Sequence, residues 1–233
     1  MLGVNEKKRR ELSRYLDIDE ADILIEDEDS NDKYNEYYCS DGIYLVMDEE
    51  ESTDAVRNDI ENSLYDLGIE AFTLTFQEKI LDNYIDDKYF SEICENYYKS
   101  YAEDIETEQG QDYANRLIDE CVEHKLIDTD DIDSDGNYTG DDDLQELLAE
   151  YLYDEVERSY SSFASWFQFN FGNDALRQEI RNGNVDFDID GIVDECVEAD
   201  GFGHFIADYD GNTVELDTFF AYKMNDGDYS KGR

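Results

Sequence analysis

Residues 131–142 read Asp-Ile-Asp-Ser-Asp-Gly-Asn-Tyr-Thr-Gly-Asp-Asp, with acids at the first, third, fifth and twelfth positions and glycine at the sixth. Oxygen ligands at that spacing wrap a hard cation while the glycine allows a sharp turn, the pattern of an EF-hand calcium loop. Asp131, Asp133, Asp135, Asn137 and Asp142 are the candidate ligands. The match is incomplete. The twelfth position is Asp rather than a bidentate Glu, Asp130 stands where an apolar residue is usual, and the apolar stripe downstream starts one residue late. A second Asp-x-Asp-x-Asp-Gly string, at 186–191, alternates its acids with Phe187 and Ile189 and reads as a strand running into a helix cap.

Other chemistries have less to work with. His124 and His204 are the only histidines, and neither stands in a ligand motif. Cys121 and His124 have metal-ligand spacing, but no second pair completes a zinc site. There is no glycine-rich phosphate loop and no Gly-x-Ser-x-Gly. Pairs of carboxylates suited to acid–base work occur throughout the chain, so their presence singles out nothing. No catalytic residue and no cofactor site is read from the sequence, and the chain is expected not to be an enzyme. A carboxylate site hidden among the surface acids is the remaining enzymatic alternative.

The charge is the dominant feature. Sixty-four of the 233 residues are Asp or Glu against 18 Lys or Arg, a net charge of -46. A compact fold with that balance works against its own self-repulsion. Duplex DNA carries one charge per ~1.7 Å of axis, so this charge corresponds to the phosphates of roughly 23 base pairs. Disorder is not the explanation, because hydrophobics make up 40%, aromatics 14%, and there are 19 Tyr and 12 Phe to build a core. Direct binding to nucleic acid is disfavoured, since the basic residues cluster only at Lys7 to Arg14.

Positioning these acids requires helices and turns. Residues 6–16 read as a helix, and 17–32, with nine acids and no base, as a solvated stretch. Residues 37–47 read as a β-hairpin around Asp41-Gly42. Ser52 or Thr53 is expected to cap a helix through Val56, Ile60 and Leu64. Further helical stripes follow at Ile80 to Ala102 and Tyr113 to Leu126. Residues 128–143 hold eight Asp and mark the clearest break, with Asp143 and Glu146 as a capping box for the next helix. A second hairpin is expected over 202–224. The fold class is therefore α+β, helix-rich, in modules of about 1–107 and 108–233. Cys39, Cys94, Cys121 and Cys196 stand singly and read as buried thiols of a reducing compartment. No apolar segment follows the basic start, so a cytoplasmic protein with no membrane contact is expected.

Two stretches resemble a group of small acidic proteins of tailed bacteriophages. One is Ile43-Tyr44-Leu45-Val46-Met47-Asp48-Glu49-Glu50 with the helix to Leu64. The other is Ala199-Asp200-Gly201-Phe202-Gly203-His204-Phe205-Ile206-Ala207 with Tyr209-Asp210-Gly211 and Tyr222 to Asn225. That resemblance implies a phage or prophage source and no activity. In composition the chain is also similar to phage and plasmid DNA-mimic antirestriction proteins, which place carboxylates where a target expects phosphates. The implied partner is a host DNA-binding protein or defence nuclease complex, with a homodimer as a further arrangement. The acids expected to meet it are Asp27, Glu28, Asp29, Asp48, Glu49, Glu50, Glu51, Asp128, Asp130, Asp131, Asp133, Asp135, Asp141, Asp142 and Asp143.

Overall fold

A computed structural model describes residues 3–25, 34–104, 111–208 and 211–225. The chain opens with α1 (Val4–Leu16), then β1 (Leu24–Ile25), β2 (Glu36–Cys39), β3 (Gly42–Met47) and α2 (Glu49–Asn62). Six helices follow: α3 (Leu74–Asn83), α4 (Lys88–Asp104), α5 (Gln111–Glu123), α6 (Leu144–Ser159), α7 (Phe163–Phe171) and α8 (Asn173–Arg181). The chain ends in α9 (Ile189–Ile206), β4 (Thr213–Glu215) and β5 (Phe220–Asn225). The strands form one antiparallel sheet in the order β1-β2-β3-β5-β4, so the fold is α+β and helix-rich.

The modules divide differently from the expected break near residue 107. One compact unit joins 1–66 to 189–233, and the other is the continuous stretch 67–188. The physical reason is pairing across sequence. β3 pairs with β5, Tyr44 opposite Lys223 and Val46 opposite Ala221, and α2 packs along α9. In the second unit the α3–α4 connection pairs with the unit's C-terminal end. Asp86 N–H donates to Asp186 O (3.0 Å), Asp188 N–H donates to Tyr84 O (2.8 Å), and Ile85 bridges Phe187.

In the first unit the β2–β3 hairpin turns through Ser40 and Asp41, with Cys39 opposite Gly42. β3 is buried on both faces. Side chains alternate across a strand, so Tyr44, Val46 and Ala221 join Leu12, Tyr37 and Phe219 in the core beside α1. Tyr222 points the other way and donates its hydroxyl to Ser52 Oγ of α2 (2.8 Å). The second hairpin is shorter than expected, because residues 202–206 continue α9. Gly201 interrupts that helix at φ 75°, and Gly203 then lies so close to the 211–213 backbone that no side chain fits. Close packing of a helix end, not strand pairing, is the use of the Gly-x-Gly string.

In the second unit Leu117, Ile118, Cys121, Leu148, Tyr151 and Leu152 form one core between α5 and α6. An aromatic group holds α4 to α7, with Phe90 against Phe167 (5.0 Å) and Trp166 against Tyr97 (5.7 Å). α7 is capped by Ser162, whose hydroxyl accepts from Ser165 N (3.0 Å); Asp87 accepts from Phe163 N (3.2 Å) and Ala164 N (3.1 Å), and Asp82 accepts the hydroxyls of Ser161 (2.6 Å) and Ser165 (2.9 Å). Burial nonetheless holds the Asp87 carboxyl above the ordinary Asp range, with the two amides opposing the shift.

Candidate functional site

The candidate calcium loop closes on its own backbone. Asp133 is exposed, and its carboxylate accepts from Asp135 N (2.8 Å), Asn137 N (2.9 Å) and Asn137 Nδ2 (3.1 Å). Those bonds from Asn137 and its neighbours hold it below the usual Asp range. Thr139 N–H and its hydroxyl both bond Asp131 O (2.6 and 2.9 Å), and Ile132 bridges Tyr138. The Tyr138 ring lies over Gly140, where any side chain would meet it. Among the described residues no three His, Cys, Asp or Glu side chains gather to hold an ion. Of the candidate set Asp131, Asp133, Asp135, Asn137 and Asp142, the third-position acid, Asp133, is thus engaged with Asn137 and with backbone amides of its own loop.

Within 128–143 the acids divide by role. Asp143 caps α6, accepting from Gln145 N (2.9 Å) and Glu146 N (3.4 Å). Asp128, Asp130, Asp135, Asp141 and Asp142 are exposed. At 48–51 the division repeats. Asp48, not Ser52 or Thr53, is the N-cap of α2: it accepts from Glu51 N (2.9 Å) while Glu51 accepts from Asp48 N (2.9 Å). Ser52 instead donates to Asp48 O (2.7 Å) and receives Tyr222. Only Glu49 and Glu50 are left fully presented, beside a shallow open depression shared with Thr53, Asp54 and Arg57. Asp48 to Glu51 belong to the first unit and Asp128 to Asp143 to the second. Asp27, Glu28 and Asp29 lie outside the described residues.

The basic run of α1 is an internal staple. Lys8 bonds Glu51 (2.5 Å), Arg10 bonds Glu20 (3.1 Å), and Arg14 bonds Asp217 (2.9 Å). Elsewhere Arg57 pairs with Asp190, Arg177 with Glu70, and Lys223 with Asp41. Each cation placed this way neutralises one carboxylate, and 18 cations cannot reach 64 acids.

Neutral donors serve many of the rest. Tyr38 donates to Glu36 (2.5 Å), Tyr44 to Asp41 (2.7 Å), Tyr89 to Glu179 (2.5 Å) and Tyr151 to Glu120 (2.6 Å). Thr218 donates its N–H and hydroxyl to Glu11 (2.7 Å each). A phenol satisfies a carboxylate's lone pairs without cancelling its charge. Tyr38, Tyr44, Tyr89 and Tyr151 serve in this way in a chain poor in cations. No sequence motif announces it, although the joint excess of Tyr and acid over base is the compositional trace it leaves.

These bonds carry a pH signature. Burial, then the bond to Glu179, pushes the Tyr89 phenol up to about 12. Burial, then Asp41, raises Tyr44, and the bond to Glu120 leads in raising Tyr151. Unfolded tyrosine ionises near ~10, so the folded state holds these protons longer. The stability they contribute is whole below about pH 10 and is lost as pH climbs from there through the folded values. Melting temperature should therefore fall between about pH 10 and 12, in step with tyrosinate absorbance. Tyr44→Phe and Tyr151→Phe should each cost ~1 kcal/mol at neutral pH. Tyrosines that ionise near ~10 with no loss of structure would contradict the assignment.

The thiols offer no nucleophile. Cys39, Cys94 and Cys196 are buried and pushed up to about 12, and Cys121 to about 11, first by burial in each case. They are protonated at neutral pH, the opposite of an activated thiolate. His124 is exposed beside buried Cys121, its ring against Tyr151 (5.6 Å), and His204 is exposed in the other unit. No described helix is long and apolar enough to cross a membrane. No family model, curated protein or solved structure matches the chain.

Proposed function

We propose that the chain is a DNA mimic of phage or mobile-element origin that occupies the DNA-binding groove of a host defence enzyme, a restriction–modification complex or another nuclease, in the host cytoplasm. The observation that carries this reading is how the carboxylates are held. Tyrosine and threonine hydroxyls and backbone amides satisfy them while leaving their charge outstanding, so the fold is stabilised without neutralising its field. The charge is spread through both units, with 32 acids and 10 bases in the first and 32 acids and 8 bases in the second. Asp128, Asp130, Asp135, Asp141 and Asp142, and Glu49 and Glu50, are the exposed acids assigned to the contact. A target groove lined with Lys and Arg is drawn to such a surface over long range and released by salt. The protein then acts stoichiometrically, without turnover.

Competition against DNA tests the reading. Restriction and defence nucleases are assayed with increasing protein at several salt concentrations. Inhibition should titrate to a fixed stoichiometry, be relieved by excess duplex, and weaken about tenfold to a hundredfold as salt rises from about 0.05 to 0.2 M. Replacing Asp128, Asp130, Asp135, Asp141 and Asp142 by Asn should weaken inhibition, whereas Asp133→Asn should act on loop stability. Inhibition at sub-stoichiometric protein, or inhibition indifferent to added DNA, would refute the proposal.

A further inference from the structure

Charged residues occur on average at about one position in three (35%), yet residues 159–173 contain none. This fifteen-residue gap carries α7 and the densest aromatic sequence of the chain: Phe163, Trp166, Phe167, Phe169 and Phe171. Trp166, Phe167 and Ala164 are buried, so one side of α7 is core. Its flanks are not. Phe171 is 41% exposed with its ring 5.7 Å from that of Tyr97 of α4, 39% exposed, which stacks at 6.3 Å on Tyr101, 38% exposed. Phe169, 77% exposed, is two residues from Phe171 on the helix and so faces away from this group, against Tyr160 at 5.9 Å. Exposed charges bound the gap, with Glu155, Glu157 and Arg158, paired to Glu155, on one side and Asp174 on the other.

Resting on the mimic reading above, we infer that the exposed rings of Phe171, Tyr97 and Tyr101 are an anchoring surface for arginine side chains of a basic protein partner. Charge complementarity selects that occupant. The unit bearing this face has 32 acids and 8 bases, which repels nucleic acid and a second copy of the same chain and attracts a cationic surface. Aromatic faces hold guanidinium groups through the ring quadrupole, and arginine, being weakly hydrated, gives up water more readily than lysine. The acids draw the partner in and the uncharged rings supply the dry contact that interface hot spots require. Charged residues on these faces would be hydrated instead, which is a physical use for a gap in so acidic a sequence.

The test uses the full chain with nona-arginine and nona-lysine, peptides of equal charge, and reads the fluorescence of Trp166, the only tryptophan. Carboxylates alone favour arginine to some degree, so the informative quantity is the change in the arginine-to-lysine affinity ratio on altering a ring. Tyr101→Ser, at an exposed position, should lower that ratio about threefold and leave lysine affinity and its salt dependence unchanged. Asp174→Asn should weaken both peptides alike. An unchanged ratio in Tyr101→Ser would overturn the anchoring surface. So would a concentration-dependent dimer abolished by Tyr101→Ser, which would assign the face to a second copy. Failure of the mimic reading is separate, appearing as loss of competition with DNA while the peptide ratio still responds to Tyr101.

Discussion

Gly203→Ala is expected to lower the melting temperature of the first unit by about 10 °C, the equivalent of ~3 kcal/mol. A Cβ at Gly203 would lie 2.5 Å from Gly211 O and from Asn212 C, and 2.6 Å from Thr213 N. All three are backbone atoms, so no side chain can rotate away. Relief requires moving either the end of α9 or β4, and β4 is held in register by Thr213 opposite Tyr222 and Val214 opposite Ala221. Gly201→Ala provides the contrast. Nothing lies within 4 Å of its added Cβ, so only the backbone conformation, φ 75° with ψ 163°, is penalised, at about 2 kcal/mol. Thermal melts of the two variants, with amide exchange at Thr213 to Glu215, read the difference. Equal effects would mean that conformation, not contact, governs the string.

Lys8→Ala should cost about 3 kcal/mol, and Lys8→Met much less. The Lys8 side chain is 7% exposed, with its ammonium 2.5 Å from Glu51 Oε2 and 5.6 Å from the Phe219 ring centre. Glu51 also closes the cap of α2 through Asp48 N, so one carboxylate ties α1 to the start of α2. Removing the ammonium leaves that carboxylate partly buried and uncompensated and opens a cavity, whereas Met refills the space with a chain of similar length. Glu51→Gln retains an oxygen acceptor for the Asp48 amide but leaves Lys8 charged and buried, and should fall between the two. Chemical denaturation of the three variants orders them. If Lys8→Ala proves neutral, the basic run of α1 is not the staple described here.

Much was legible from the residues alone because the signals were local. Apolar spacing marked α2, α4 and α6, Asp41-Gly42 placed the first hairpin, and Asp143 stood at the head of its helix. Such signals depend on periodicity and on caps within a few residues, which tertiary context seldom overrules. The α+β class followed from them, and the net charge required no structure at all. What distance in sequence separates, no local pattern can show. The 43–47 strand and the 220–225 strand are paired although more than 170 residues separate them, and that pairing also sets the division into units. The helical course of 202–206 was hidden for the same reason, since its alternating glycines and aromatics resemble a strand until the close approach of the 211–213 backbone is seen. The fate of individual carboxylates was hidden too. Asp133 reads in sequence as one acid of a repeating pattern, and only the folded loop shows its carboxylate accepting from Asp135 N and Asn137 N. Composition settled how much charge the protein carries; the tertiary structure decided which acids are satisfied, by which neutral donors, and which are left facing water.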